Sequence, residues 1–133
     1  MIRWIIPGLA TLAVTAAIPA GANHGPRALP PAMGGLWEVS QRADGHGAQR
    51  VCVRDPRYLL EWEHRRARCS QRLLANGPTS AVVQYDCGPA GFGHSKLTLV
   101  TPRTIKVETQ GIANSYPFKY TLHARRLGNC PAR

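Results

Sequence analysis

The fold class is decided by Ser95–Gln110, which reads SKLTLVTPRTIKVETQ. In its second half, the apolar Ile105 and Val107 alternate with the charged Lys106 and Glu108. Alternation of this kind is typical of a strand that buries one face. A Thr-Pro-Arg turn separates this segment from an equally extended first half, and so short a turn joins antiparallel strands. The stretch therefore predicts a β-hairpin.

Strand signals recur along the rest of the chain. The further candidate strands are Leu36–Gln41, Gln49–Val53, Arg72–Ala75, Thr79–Cys87 and Phe118–Arg125. Asn76-Gly77 separates two of them and favours the positive φ angles of a tight hairpin turn. Because parallel strands need crossovers of about a dozen or more residues, the short turns favour an antiparallel meander. We expect a mainly β fold of about seven strands, arranged as a curved sheet or a partly open barrel.

One short helix is expected to interrupt the strands. Asp55 can accept a hydrogen bond from a free backbone amide, and Pro56 suits the first helical position because it lacks an amide hydrogen. A helix of about ten residues should follow. One stripe of this helix would consist of Leu59, Trp62, Arg66 and Cys69. Because the stripe is short, the helix must pack on the sheet to persist.

The amino-terminal segment has the composition of a signal peptide. Arg3 precedes an apolar run from Trp4 to Ile18, and Ala20 and Ala22 are small residues at the −3 and −1 positions of a cleavage site. The alternative is a membrane anchor, but the run is about fifteen residues long and a span needs about 20. The mature protein would then have no transmembrane segment. The predicted organisation is a signal peptide at 1–22, a flexible lead-in at 23–33 and one domain at 34–130, in a periplasmic or secreted protein.

Four cysteines follow the predicted cleavage site: Cys52, Cys69, Cys87 and Cys130. An even number in an exported chain favours two disulfides. A zinc site is the alternative, but no two cysteines have the C-x₂₋₄-C spacing of structural zinc sites. Three pairings are possible. We favour Cys52 with Cys69, which flank the predicted helix, and Cys87 with Cys130, which would tie the last strand to the sheet.

The charge balance points to anionic partners. Lysine and arginine number 17 against 7 aspartate and glutamate residues. Outside the cytoplasm, anionic partners are lipid head groups or acidic envelope polymers, and nucleic acid is not expected. The candidate anionic contact consists of Arg65, Arg66, Arg68 and Arg72. The alternative is a surface that is basic without a specific partner.

A curved sheet can also hold a small apolar ligand on its concave face. The candidate lining residues are Trp37, Tyr85, Phe118, Tyr120 and Leu122. The alternative is that these side chains form ordinary core and that the helix fills the concave face.

Several short motifs, taken in order, resemble a known family. They are Gly35–Ser40 (GLWEVS), Cys52 before the Asp-Pro helix start, Cys69 opening a hairpin, Tyr85-Asp86-Cys87 before a glycine-rich loop, and Ala124–Cys130 (ARRLGNC). The chain resembles domain-of-unknown-function family 3617, small exported proteins of Gram-negative bacteria. The resemblance implies a periplasmic, β-rich domain with paired cysteines, and it implies no activity or catalytic residues. The arginine-rich helix departs from the family pattern.

No pattern in the chain identifies a reaction. There is no G-x-S-x-G motif for a serine nucleophile, and the histidines lack the local spacing of a metal site. We therefore expect no catalytic residue, cofactor or metal, and predict a noncatalytic periplasmic binding or envelope-associated protein. One alternative is a small envelope enzyme that acts on an acidic polymer or lipid, with His64, His94 or His123 as the base beside an acid. Another is a structural or stress-related protein without a small ligand, and a deep apolar pocket would count against it.

Overall fold

A computed structural model describes residue 14 and residues 25–132 of the chain. Apart from Val14, the predicted signal peptide lies outside the described residues, so its assignment stays a prediction. Within 25–33, Ala28 and Leu29 are buried against the core, and the Met33 carbonyl accepts a hydrogen bond from Trp37 Nε1 at 2.9 Å. The packed domain therefore includes residues that precede Gly34.

In the part of the chain that the structure describes, seven antiparallel strands form one sheet, which confirms the predicted fold class. The strands are β1 (Gly35–Ser40), β2 (Gln49–Val53), β3 (Ser70–Asn76), β4 (Ser80–Asp86), β5 (Gly91–Thr101), β6 (Thr104–Ala113) and β7 (Tyr116–Gly128). Their order in the sheet is β2-β1-β7-β6-β5-β4-β3. The strands β3 to β7 thus form a meander, and the β1–β2 hairpin joins it through the pairing of β1 with β7. In the described part of the chain β2 and β3 are not paired with each other, so the sheet is open rather than a closed barrel.

Among residues 25–132, the one helix longer than a turn, Pro56–His64, links β2 at one edge of the sheet to β3 at the other. Asp55 caps it as predicted, because its Oδ1 accepts a hydrogen bond from the Arg57 amide at 3.0 Å. The helix is 3₁₀ and is interrupted at Glu61 (φ −122°, ψ 36°). Its nine residues agree with the predicted length of about ten, although 3₁₀ geometry is rarely sustained for so long. We call this element the crossing helix.

The end of the crossing helix at His64 corrects the predicted apolar stripe. Leu59 and Trp62 lie within the helix and are buried, as expected. Arg66 and Cys69 lie beyond its end and belong to the segment that leads into β3. The helix contacts β2, β5 and β6, and it covers the apolar face of the sheet.

The prediction of two disulfides is confirmed, but both favoured pairings were wrong: Cys52 is bonded to Cys130, and Cys69 to Cys87. Because the crossing helix carries the chain from β2 to β3, Cys52 and Cys69 lie at opposite edges of the sheet. Cys69 and Cys87 instead close the open end of the β3–β4 hairpin, with Cα atoms 4.1 Å apart. Cys130 follows β7 and reaches Cys52 past the end of β1, with Cα atoms 5.4 Å apart.

Candidate anion-binding surface

Three of the four candidate arginines lie in the segment between the crossing helix and β3. Arg65, Arg66 and Arg68 are exposed in this segment, residues 65–69, which we call the arginine loop. The sequence had placed them on the helix, and the early helix end corrects this position. Arg72 lies on β3.

Arg65 is held in place by the preceding aromatic residue. Its guanidinium carbon lies 4.3 Å from the centre of the Trp62 ring, and its Nη1 donates a hydrogen bond to the Trp62 carbonyl at 2.9 Å. Arg65 and Arg66 line a surface depression of about 450 Å³ together with Glu63 and with Ala113 and Asn114 of the β6–β7 hairpin. The structure therefore places two of the predicted arginines at one depression.

Arg72 is separated from the arginine loop by its place on the sheet. Its neighbour Gln71 points to the crossing helix, where its Nε2 donates a hydrogen bond to Glu61 Oε2 at 2.9 Å. Because successive side chains of a strand point to opposite faces, Arg72 points to the outer face. There its Nη2 donates a hydrogen bond to Gln84 Oε1 at 3.1 Å.

No acidic residue of the described part forms an ion pair with the arginine loop. Four carboxylates form ion pairs with other cations: Glu38, Asp44, Asp55 and Glu108. The other three accept hydrogen bonds from neutral donors: Glu61, Glu63 and Asp86. Within residues 25–132, no carboxylate lies within ion-pairing distance of Arg65, Arg66 or Arg68. Their charges are therefore available to an external anion.

Most of the residues predicted to line an apolar pocket are buried. Trp37, Tyr85 and Leu122 are buried in the sheet face that the crossing helix covers. Phe118 and Tyr120 are partly exposed at the edge of this core, and the Tyr120 hydroxyl donates a hydrogen bond to Glu63 Oε2 at 2.9 Å. Burial and the neighbouring carboxylate raise the pKa of Tyr120. These side chains form core around the helix rather than an open apolar pocket.

His64 is fixed in the core by both ring nitrogens. Its Nε2 lies 3.1 Å from the Ala90 carbonyl and 3.0 Å from the Ile112 carbonyl, and its Nδ1 lies 3.1 Å from the Tyr85 hydroxyl. Carbonyl oxygens only accept, so Nε2 carries a hydrogen, and in the neutral imidazole Nδ1 accepts from the Tyr85 hydroxyl. Burial raises the pKa of Tyr85 to about 12, which keeps its hydroxyl a donor. His64 thus ties the crossing helix to β4, to Ala90 just before β5, and to β6.

The remaining histidine candidates are not joined to acids. His94 pairs with Gln84 and Gln110 across the outer face, and His123 pairs with Lys106. None of the three histidines is hydrogen-bonded to a carboxylate among the described residues. In the same part of the chain, no three histidine, cysteine or acidic side chains converge where they could hold a metal ion.

Glu61 is a carboxylate whose burial was not predicted from the sequence. The residue is 3% exposed at the bend of the crossing helix. Burial raises the pKa of Glu61. The hydrogen bond from Gln71 and the charge of Arg57 lower this pKa, but by less than burial raises it. The residue lines a cavity of about 510 Å³ with Asp55 and Tyr58. Its isolated position gives no periodic signal from which this burial could have been predicted.

No family model, curated protein or solved structure matches this chain. Within the described residues, no helix combines the length and the apolar character that a membrane span requires.

Proposed function

We propose that the protein is a noncatalytic, exported protein of the bacterial envelope that binds anionic lipid surfaces through the arginine loop. The export part of this proposal is supported by the signal-peptide composition of residues 1–22 and by the two disulfides, which fit an oxidising compartment outside the cytoplasm. Among such compartments we favour the periplasm. Membership of domain-of-unknown-function family 3617 is part of the same proposal, and the order of the sequence motifs supports it.

The observation that carries the binding proposal is the unneutralised charge of Arg65, Arg66 and Arg68. All three are exposed, and no carboxylate of the described part forms an ion pair with them. Glu63 lines the same depression as Arg65 and Arg66 and accepts a hydrogen bond from Tyr120, so the two arginines exceed the one carboxylate there. Each basic residue near an anionic membrane surface contributes about 1 kcal/mol to association. Three such residues would contribute about 3 kcal/mol, which corresponds to a roughly 100-fold change in affinity.

An exposed aromatic residue beside the arginine loop supports a lipid surface as the anionic partner. Tyr116 is 77% exposed and pairs with Ala113 across the β6–β7 hairpin. Ala113 in turn lines the depression that contains Arg65 and Arg66. Tyrosine has an apolar ring and a polar tip, and it favours the boundary between the hydrocarbon and the head groups.

The proposal is tested by flotation of the protein with vesicles that contain phosphatidylglycerol, and with neutral phosphatidylcholine vesicles. We expect binding to the anionic vesicles, and a roughly 100-fold loss when Arg65, Arg66 and Arg68 are all replaced by glutamine. The matched control replaces three exposed arginines elsewhere, Arg50, Arg54 and Arg103, by glutamine. This control lowers the net charge equally and should lose much less affinity. Equal losses in both triple variants, or no binding by the original protein, would exclude the arginine loop as the contact.

A further inference from the structure

The outer face of the sheet carries one continuous row of polar and cationic side chains. Cross-strand pairing places one residue from each of five neighbouring strands in this polar row: Arg72, Gln84, His94, Gln110 and Lys119. Strands lie about 4.8 Å apart, so the row spans about 19 Å from Arg72 to Lys119. It begins and ends with a cation.

An apolar row lies directly beside the polar row. Phe92, Ile112 and Pro117 pair with one another across β5, β6 and β7 on the same face, and Phe92 is 51% exposed. The two rows border a groove of about 420 Å³, which is also lined by Gly93 and Gly111. The apolar edge, the polar edge and the flat backbone between them form an elongated site.

The polar row has the hydrogen-bonding capacity that a sugar requires. Sugar hydroxyls both donate and accept, and the glutamine amide does the same. Gln84 Oε1 accepts from Arg72, so its amide nitrogen is left to donate toward a ligand. Gln110 lies on the other side of His94 in the row and supplies a second amide.

The charges along the groove favour an acidic ligand. Lys119 lines the groove, Arg72 lies next to Gln84 at the β3 end of the polar row, and the polar row contains no carboxylate. The nearest acidic residue in the pairing pattern is Asp86, opposite Phe92, and its Oδ1 accepts a hydrogen bond from the Gly88 amide at 2.8 Å. Glu108, one row further along β6, lies 3.9 Å from Lys106. An extended ligand with several anionic groups would therefore meet cations at both ends.

We propose that this groove binds an acidic oligosaccharide. One face of a sugar ring packs against Phe92, the hydroxyls bond to Gln84 and Gln110, and the carboxylates meet Lys119 and Arg72. This site is distinct from the arginine loop and goes beyond the lipid binding proposed above, because it has a different ligand and different residues.

The test is calorimetric titration with tetragalacturonic acid, and with its fully methyl-esterified form as the neutral probe. We expect the acid to bind and the ester to bind at least tenfold more weakly. Replacing Gln84 and Gln110 together by alanine removes two hydrogen-bonding groups and should weaken binding of the acid by about tenfold or more. Replacing Thr98 and Thr121 by alanine is the matched control, because both lie on the same face outside the groove.

Each result decides the proposal. No binding of the acid, equal binding of the ester, or an unchanged affinity in the glutamine double variant would overturn it. So would a glutamine double variant that loses vesicle binding instead, since the groove would then contact lipid. The triple arginine-loop variant should keep its affinity for the acid, so failure of the lipid proposal and failure of this one give different results.

Discussion

At the scale of single residues, Glu61 is the group whose ionisation opposes the fold. Its pKa is raised in the folded protein, chiefly by burial. Protonated Glu61 therefore favours the folded state, and this contribution is lost as the pH rises through the raised pKa. An isosteric glutamine side chain at this position would still accept the hydrogen bond from Gln71, and it would carry no charge.

We predict that Glu61→Gln raises the free energy of unfolding relative to the original protein at about pH 7, and that this advantage shrinks toward about pH 4. Urea denaturation at the two pH values measures it. Glu108→Gln is the matched control, because this carboxylate is exposed and should change stability by less than about 0.5 kcal/mol. An advantage that grows toward acid pH would show that the pKa of Glu61 is lowered.

At the scale of elements, glycines let the sheet accommodate the side chains beneath the crossing helix. A Cβ atom at Gly93 would collide with the Tyr85 ring, because Tyr85 lies across the backbone of β5. Tyr85 then reaches His64, whose two carbonyl partners come from Ala90 and Ile112. The contact between the crossing helix and the sheet at this end therefore requires a glycine at position 93, where no side chain collides with the Tyr85 ring.

We predict that Gly93→Ala lowers the free energy of unfolding by about 1–3 kcal/mol through overpacking against Tyr85. In a Tyr85→Leu background, where the phenol ring is absent, the same change should cost less than about 1 kcal/mol. Denaturant titrations of the four proteins measure this difference. If the two costs are equal, the Tyr85 ring is not what restricts position 93.

The sequence predicted elements better than their ends. All seven strands were predicted, because alternation and turn residues are local signals. The bend at Glu61 was missed, and Arg66 and Cys69 were wrongly placed on the helix. The β6–β7 turn was also missed, because Asn114 and Ser115 adopt positive φ values of 48° and 71° without a glycine. The polar row could not be predicted either, because alternation indicates which face of the sheet a residue lies on but not which residue it pairs with on the next strand.

Across the molecule as a whole, one disulfide links each edge strand of the open sheet to another part of the chain. Cys52–Cys130 joins β2 to the end of β7, and Cys69–Cys87 joins β3 to β4. The pairing was not predictable from spacing, because it depends on the strand order that the crossing helix sets. The sequence separation is 78 residues for Cys52 and Cys130 and 18 residues for Cys69 and Cys87. In the chain-entropy model, a longer loop restricts the unfolded chain more.

We predict that replacing Cys52 and Cys130 by serine lowers the free energy of unfolding by about 4 kcal/mol, and replacing Cys69 and Cys87 by about 3 kcal/mol. Denaturant titrations of the two double variants measure which of them loses more of the free energy of unfolding. Peptide mapping without reduction provides the control that the remaining bond has formed in each variant. A larger loss from the shorter loop would contradict the entropic explanation.

The salt dependence of vesicle binding measures whether Arg65, Arg66 and Arg68 hold the protein on an anionic surface. Raising the salt from about 0.01 M to about 1 M shortens the electrostatic screening length from about 30 Å to about 3 Å. We predict that affinity for phosphatidylglycerol vesicles falls steeply over this range for the original protein, and much less steeply for the triple glutamine variant. The same steep slope in both proteins would contradict this role of the three arginines.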